Sequence, residues 1–174
     1  ELTEDTTWEL ELPGNIQFTP YFELEAPAGK RLTIYTDSYV DSDNNPNFKD
    51  TYVTAEGTQQ FENYAWRSGT KLYIEAEAGV KFTSLGYRKS EFNGNWAGSF
   101  HSDDEKLDQL WQESLNTVAI CMRDTYMDCP ERERGPYMGD ASNQIDAALY
   151  GYDQGGLDMT KKAILSCLGW TPES

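Results

Sequence analysis

The chain has one histidine, His101, and three cysteines. A single histidine argues against a multi-histidine metal centre and against a histidine-based nucleophilic triad. Cys121, Cys129 and Cys167 follow no zinc-binding spacing, and their odd number precludes a complete intrachain disulfide set, so free, partly buried thiols are expected. Basic residues are also scarce: 14 Lys and Arg stand against 30 Asp and Glu, for a net charge of −16. So acidic a surface repels phosphate instead of releasing its counterions, which excludes nucleic acid and anionic membranes as partners. No apolar run approaches the roughly 20 residues of a membrane-spanning helix, so membrane insertion is not expected. Gly155-Gly156 lacks the strand and the lysine of a phosphate-binding loop. The acidic run Asp41-Ser42-Asp43-Asn44-Asn45 lacks the sixth-position glycine and twelfth-position glutamate of a calcium loop. No metal and no cofactor is expected, and neutral sugars remain well suited as ligands.

What is present is a foldable chain. Hydrophobic residues make up 38% and aromatic residues 13%, including eleven tyrosines and five tryptophans. That content is too high for disorder, and 174 residues suffice for one domain with a real core plus part of another. The aromatics read first as strand core and secondarily as platforms for sugar rings.

Residues 1–95 alternate with period two. WELEL (Trp8 to Leu12) alternates apolar and acidic residues, and Pro13-Gly14 is expected to turn the chain. Phe22, Leu24 and Ala26 share one face up to Pro27; Leu32 and Ile34 follow. Asp41–Asn47 reads as a solvated loop, and three further alternating segments end at KFTSLGYRK. Short strands at this spacing predict an antiparallel β-sandwich or jelly-roll domain.

From about Trp96 the pattern becomes helical. Ser102 and Glu105 fit a capping box; Leu107, Leu110, Trp111, Leu115, Val118 and Met122 then predict an amphipathic helix over about 103–123. Ala141, Ile145, Ala148, Leu149 and Tyr152 trace a second helix, Gly155-Gly156 interrupts, and Thr160–Leu168 reads as a third. His101 sits at the boundary before the cap, and Trp96 and Trp170 read as core or interface residues. Three apolar stripes exceed what these helices can bury on one another, so residues 96–174 read as the start of a larger helical domain.

Between the first two helices lies DCPERERGPYMGDA, Asp128 to Ala141, with four carboxylates and two arginines. Pro130 and Gly135-Pro136 force turns, so the side chains crowd into a compact loop. One reading is a surface ion-pair cluster. The other is a sugar site: glycoside hydrolysis needs one protonated carboxyl to supply the leaving oxygen with a proton and a second to activate water or attack carbon. Neighbouring carboxylates raise an acid's pKa and arginines lower it, and this loop offers both.

DCPERERGPYMGDA resembles the signature of the α-L-rhamnosidases of glycoside hydrolase family 78, of the form D-C-P-x-R-E-R-x-G-[WY]-x-G-D. YFELEAPAGKRLTIYTD and LGYRKSEF resemble the β-domain that precedes the catalytic domain there, and GSFHSDDEKLDQLWQESLNT resembles its first catalytic helix. The resemblance implies the opening helices of an (α/α)6 barrel, an inverting mechanism and a carbohydrate substrate, terminal α-L-rhamnose. It implies Glu133 as general acid, with Asp128, Arg132, Tyr137 and Asp140 lining the sugar subsite. Cys129 and Pro130 match positions that shape the loop. The general base of the family lies far downstream, outside residues 1–174, so the chain alone is expected to be inactive. The family's substrates favour a periplasmic or extracellular location, with a cytoplasmic one open. Gly135-Pro136-Tyr137 departs from the family's pattern, which keeps open a hydrolase of the same clan acting on another sugar. A non-catalytic carbohydrate-binding β-sandwich is the further alternative.

Overall fold

A computed structural model describes residues 2–169. The chain forms two compact units, Glu1–Ser90 and Glu91–Ser174.

The first unit is one curled antiparallel sheet of six strands, where a sandwich would have two separate sheets. They are β1 (Thr6–Ala26), β2 (Arg31–Thr36), β3 (Asp50–Val53), β4 (Gly57–Glu62), β5 (Arg67–Ala76) and β6 (Lys81–Lys89). Strand β1 organises it. Its residues 6–18 pair with β5, which continues to β2 and β3, while its residues 18–26 pair with β4 and with β6. The turn expected at Pro13-Gly14 does not form. Pairing breaks between Glu11–Lys71 and Ile16–Gly69, so residues 12–15 stand opposite Thr70 as a bulge within a single long strand. Proline has no N–H for the ladder, and a bulge absorbs that loss while bending the strand from one half of the sheet into the other.

The core follows the alternation. Phe18, Phe22, Leu24, Leu32, Ile34, Leu72 and Ile74 are fully buried and cluster with Ile16, Ala26, Ala76 and Val80. The 41–47 loop is solvated as its composition implies. The Asp41 carboxylate accepts from the backbone N–H groups of Asp43 (2.9 Å) and Asn45 (2.8 Å), closing a local turn.

The second unit contains α1 (Glu105–Ile120), α2 (Met138–Gly151) and α3 (Gln154–Leu168). Asp104, not Ser102, caps α1: its carboxylate accepts from Lys106 N–H at 2.9 Å. Ser102 lies just outside, its own N–H donating to the Asp108 carboxylate (2.8 Å), and His101 Nδ1 meets the same carboxylate at 2.7 Å. Gly155-Gly156 does not interrupt a helix either; both lie in the first turn of α3, capped by Asp153. A Cβ on Gly155 would come within 2.3 Å of the Asn93 carbonyl oxygen, so Gly155 permits close backbone approach. Asn95 is tied to Asp153 by a backbone bond of 3.0 Å and by its side-chain amide at 2.9 Å. Trp96 pairs with Tyr152 in a short antiparallel bridge. Trp170 lies outside the described residues. Leu115, Ala119, Met122, Tyr126, Ala141, Ala148, Tyr152, Met159 and Ala163 form the helical core with Phe92.

Candidate functional site

The charged stretch is anchored at its entry. Met122 and Tyr126 pair in an antiparallel bridge, both are fully buried, and the Tyr126 hydroxyl meets Thr160 Oγ1 of α3 at 2.9 Å. Met127 N–H donates to the Cys121 carbonyl (2.8 Å), and the Gln144 amide of α2 donates to the Met127 carbonyl (2.6 Å). All three helices thus hold the chain immediately before Asp128.

Asp128 closes the loop. Its N–H donates to the Gly135 carbonyl (3.0 Å) and its Oδ1 accepts from Gly135 N–H (2.8 Å), so residues 129–134 are cinched at their base. Inside the loop, Arg134 Nε donates to the Pro130 carbonyl at 2.9 Å, and Arg134 adopts a left-handed backbone with φ 53°. A non-glycine residue held there is strained unless its surroundings enforce it. Gly135 has no Cβ to spare: one would lie 2.7 Å from the Tyr137 ring, which packs against this glycine.

Within the loop, Glu133 has 36% of its side chain exposed. Arg132 grips it with two donors, Nε to Oε2 at 2.9 Å and Nη2 to Oε1 at 2.7 Å. The Cys129 thiol donates to the same Oε2 at 3.2 Å. First the Arg132 hydrogen bonds and then the Cys129 thiol hold the Glu133 carboxyl below the usual glutamate range. Cys121 lies buried beneath; burial, then the negative fields of Cys129, Asp128 and Asp140, pushes its thiol up to about 11. An inert structural thiol is the outcome.

Of the residues singled out from the sequence, Asp128, Arg132 and Glu133 come together in this loop. Tyr137 lies over Gly135 and is more than half exposed. Asp140 stands in the first turn of α2, where the helix dipole favours a carboxylate, close enough to Cys121 to act on it. The contact of Cys129 with Glu133 was missed. Its signal was the four-residue spacing across a turn-forming proline. Ligand atoms of Asp128, Cys129 and Glu133 lie within 4.8 Å of one another. A cation there would have to displace the Arg132 guanidinium from Glu133.

The Arg132 grip makes a direct prediction. Arg132→Gln removes the largest influence lowering the Glu133 pKa, so that pKa moves up toward the ordinary glutamate value. A depressed folded-state pKa stabilises above the unfolded carboxylate pKa, and this contribution disappears as pH falls through the folded value. The variant therefore loses it. Carbon-detected NMR titration of the Glu133 carboxyl should show the rise, and an unchanged midpoint would refute the assignment.

Residues 95–164 match the family model described as the bacterial alpha-L-rhamnosidase 6 hairpin glycosidase domain. A curated alpha-L-rhamnosidase of Formosa agariphila is 32% identical over 116 residues, 51% of this chain and 12% of that protein. Among solved structures, a family GH78 rhamnosidase of Bacillus sp. GL1 superposes with a TM-score of 0.78 at 25% identity, over 95% of this chain and 18% of that one. A rhamnosidase from Klebsiella oxytoca with rhamnose bound shares the fold at a TM-score of 0.77 and 13% identity, over 94% of this chain and 36% of that one. The chain is α-L-rhamnosidase-like in sequence and in fold, and spans only a small part of the length of these relatives.

Proposed function

We propose that this chain supplies the β-domain and the opening helices of an (α/α)6-barrel glycosidase that removes terminal α-L-rhamnose with inversion. In this reading residues 1–95 form the β-domain and residues 96–174 begin the catalytic domain. The observation that carries the proposal is the cinched Asp128–Gly135 loop that holds a partly exposed Glu133, inside the segment that matches the rhamnosidase model.

Glu133 acts as the general acid and protonates the departing glycosidic oxygen. Asp128, Arg132 and Asp140 hold sugar hydroxyls, and Tyr137 offers an aromatic face to the ring or its methyl group. Inversion requires a second carboxyl on the opposite face of the sugar, with space for a water between the two. That base lies outside residues 1–174, so the chain alone does not turn over substrate. The grip of Arg132 opposes an acid, since it favours the ionised form. A sugar that draws the guanidinium onto its hydroxyls removes that opposition, so Glu133 becomes a competent proton donor only when the subsite is filled.

The test is to express the chain together with the helices that follow it in its relatives and to supply an α-L-rhamnoside. Proton NMR of the first turnovers should show β-L-rhamnose before mutarotation. α-L-Rhamnose as first product would rule out inversion, and no release from any rhamnoside would move the search to other deoxyhexosides.

A further inference from the structure

We propose that Cys129 is a positioning residue for the reaction: its thiol holds one oxygen of Glu133 in place, so that the other carries the proton to the departing glycosidic oxygen. This rests on the reading of Glu133 as the general acid and gives a part to a side chain that the sugar need not touch. The thiol donates to Glu133 Oε2 at 3.2 Å. Arg132 Nε donates to the same oxygen at 2.9 Å, and Arg132 Nη2 lies 2.7 Å from Oε1.

The backbone on both sides of Cys129 is restrained. Asp128 before it is joined to Gly135 through its N–H (3.0 Å) and its Oδ1 (2.8 Å). Pro130 after it disfavours the helical region for Cys129, and the Pro130 carbonyl accepts from Arg134 Nε at 2.9 Å. The thiol therefore reaches Glu133, four residues on, from a fixed starting point. Cys129 is half-buried, whereas Cys121 lies buried beneath the loop.

The two donors act differently once the acid must hold its proton. A guanidinium favours the ionised carboxylate, and a sugar that draws Arg132 onto its hydroxyls takes both arginine bonds away together. A thiol is a weak, neutral donor. It stays on Oε2 whether Glu133 is ionised or protonated, because the protonated form keeps one carbonyl oxygen that accepts. With Oε2 accepting from the thiol, the proton resides on Oε1. A carboxyl released by Arg132 and held by no other donor would turn about its last bond, and would present its proton to the leaving oxygen only part of the time.

The test compares Cys129→Ala, Cys129→Val and Cys129→Ser, in the chain joined to the helices that follow it in its relatives, on alkyl and nitrophenyl α-L-rhamnosides. Alanine and valine should each lower kcat on the alkyl substrate by about three- to tenfold, the scale of one hydrogen bond, with KM little changed. The loss should shrink on the nitrophenyl substrate, and serine, which restores a donor, should recover most of it. Recovery by valine, which fills the thiol's space without donating, would show a packing role and overturn the proposal. So would equal losses on both leaving groups, or no loss with alanine. Glu133→Gln in parallel separates the two readings. If it loses turnover while Cys129→Ala costs nothing, Glu133 remains the acid and only the part given to Cys129 falls; undiminished hydrolysis in Glu133→Gln removes both. Without turnover, carbon-detected NMR of the chain itself should show the Glu133 carboxyl resonance moving on Cys129→Ala and returning with Cys129→Ser. A resonance unmoved by alanine would also overturn the proposal.

Discussion

Glu133→Gln, introduced where the chain is joined to the helices that follow it in its relatives, is expected to lower kcat on an alkyl α-L-rhamnoside by about 10²- to 10⁴-fold. That corresponds to roughly 2.7–5.5 kcal/mol of transition-state stabilisation. Glutamine keeps the size of the side chain and one carbonyl oxygen that can accept from Arg132 Nε and Cys129, while its –NH2 cannot accept from Arg132 Nη2, so one prong of the Arg132 grip is lost. What it cannot do is deliver a proton to the leaving oxygen. The loss should shrink on a nitrophenyl rhamnoside, because a stable phenolate leaves with little protonation. Sugar affinity should change far less than kcat, since Asp128 and Arg132 remain. Equal losses on both leaving groups would mean that Glu133 holds the sugar and does not protonate it. Undiminished hydrolysis would hand the acid's role to another carboxyl, with Glu131, two residues earlier, the first to examine.

The elements of the fold were legible where side-chain pattern alone decides them. Phe22, Leu24 and Ala26 alternate inward up to Pro27, and the strand ends there. The stripe of α1 is likewise periodic, and Leu115 and Ala119 are buried as it implies. Punctuating residues were the source of error. Pro13-Gly14 reads as a turn because both residues favour one, yet a bulge satisfies the same backbone constraints and leaves the strand continuous. Gly155-Gly156 reads as a helix breaker because glycine is a poor helix former. Its place in α3 is set by the Asn93 backbone passing over it, a contact between distant positions that no local pattern contains. At the cap, Ser102 and Asp104 both suit the role, and the chain's path chose the residue nearer the first turn.

The charged loop divides in the same way. Residue types and turns marked a charged loop, and the resemblance to the rhamnosidase signature singled out Asp128, Arg132 and Glu133 within it. The pairing of Asp128 with Gly135, which closes the loop, is a backbone event and leaves no compositional trace. The adjacent Arg132 and Glu133 could have diverged, as neighbours do in a strand, but the turn brings them into a two-pronged ion pair. The Tyr35–Tyr73 stack on the sheet was still less legible. Tyr35 and Tyr73 are far apart in sequence, and only the β2–β5 register makes them neighbours.

Phe22→Ala is expected to cost about 3–5 kcal/mol of stability, the range for deleting a buried phenylalanine ring. Phe22 is 1% exposed and occupies the stretch of β1 that is paired on both edges, opposite Phe61 of β4 and Leu85 of β6. Its ring meets Tyr52 at 5.1 Å, Phe61 at 5.4 Å and Phe82 at 6.0 Å between centroids, so one side chain ties β3, β4 and β6 to β1. These neighbours sit on separate strands of a curled sheet and cannot all collapse into the space at once. The upper part of the range is therefore expected. Urea unfolding followed by tryptophan fluorescence should show the midpoint falling by more than about 1 M. Phe22→Leu, which fills part of the space, should lose less. Glu23→Ala, one residue on and exposed, should stay within about 0.5 kcal/mol. If Phe22→Ala cost no more than Glu23→Ala, ring packing would not be what holds the two halves of the sheet together. The continuous backbone pairing of β1 through its bulge would then carry that connection.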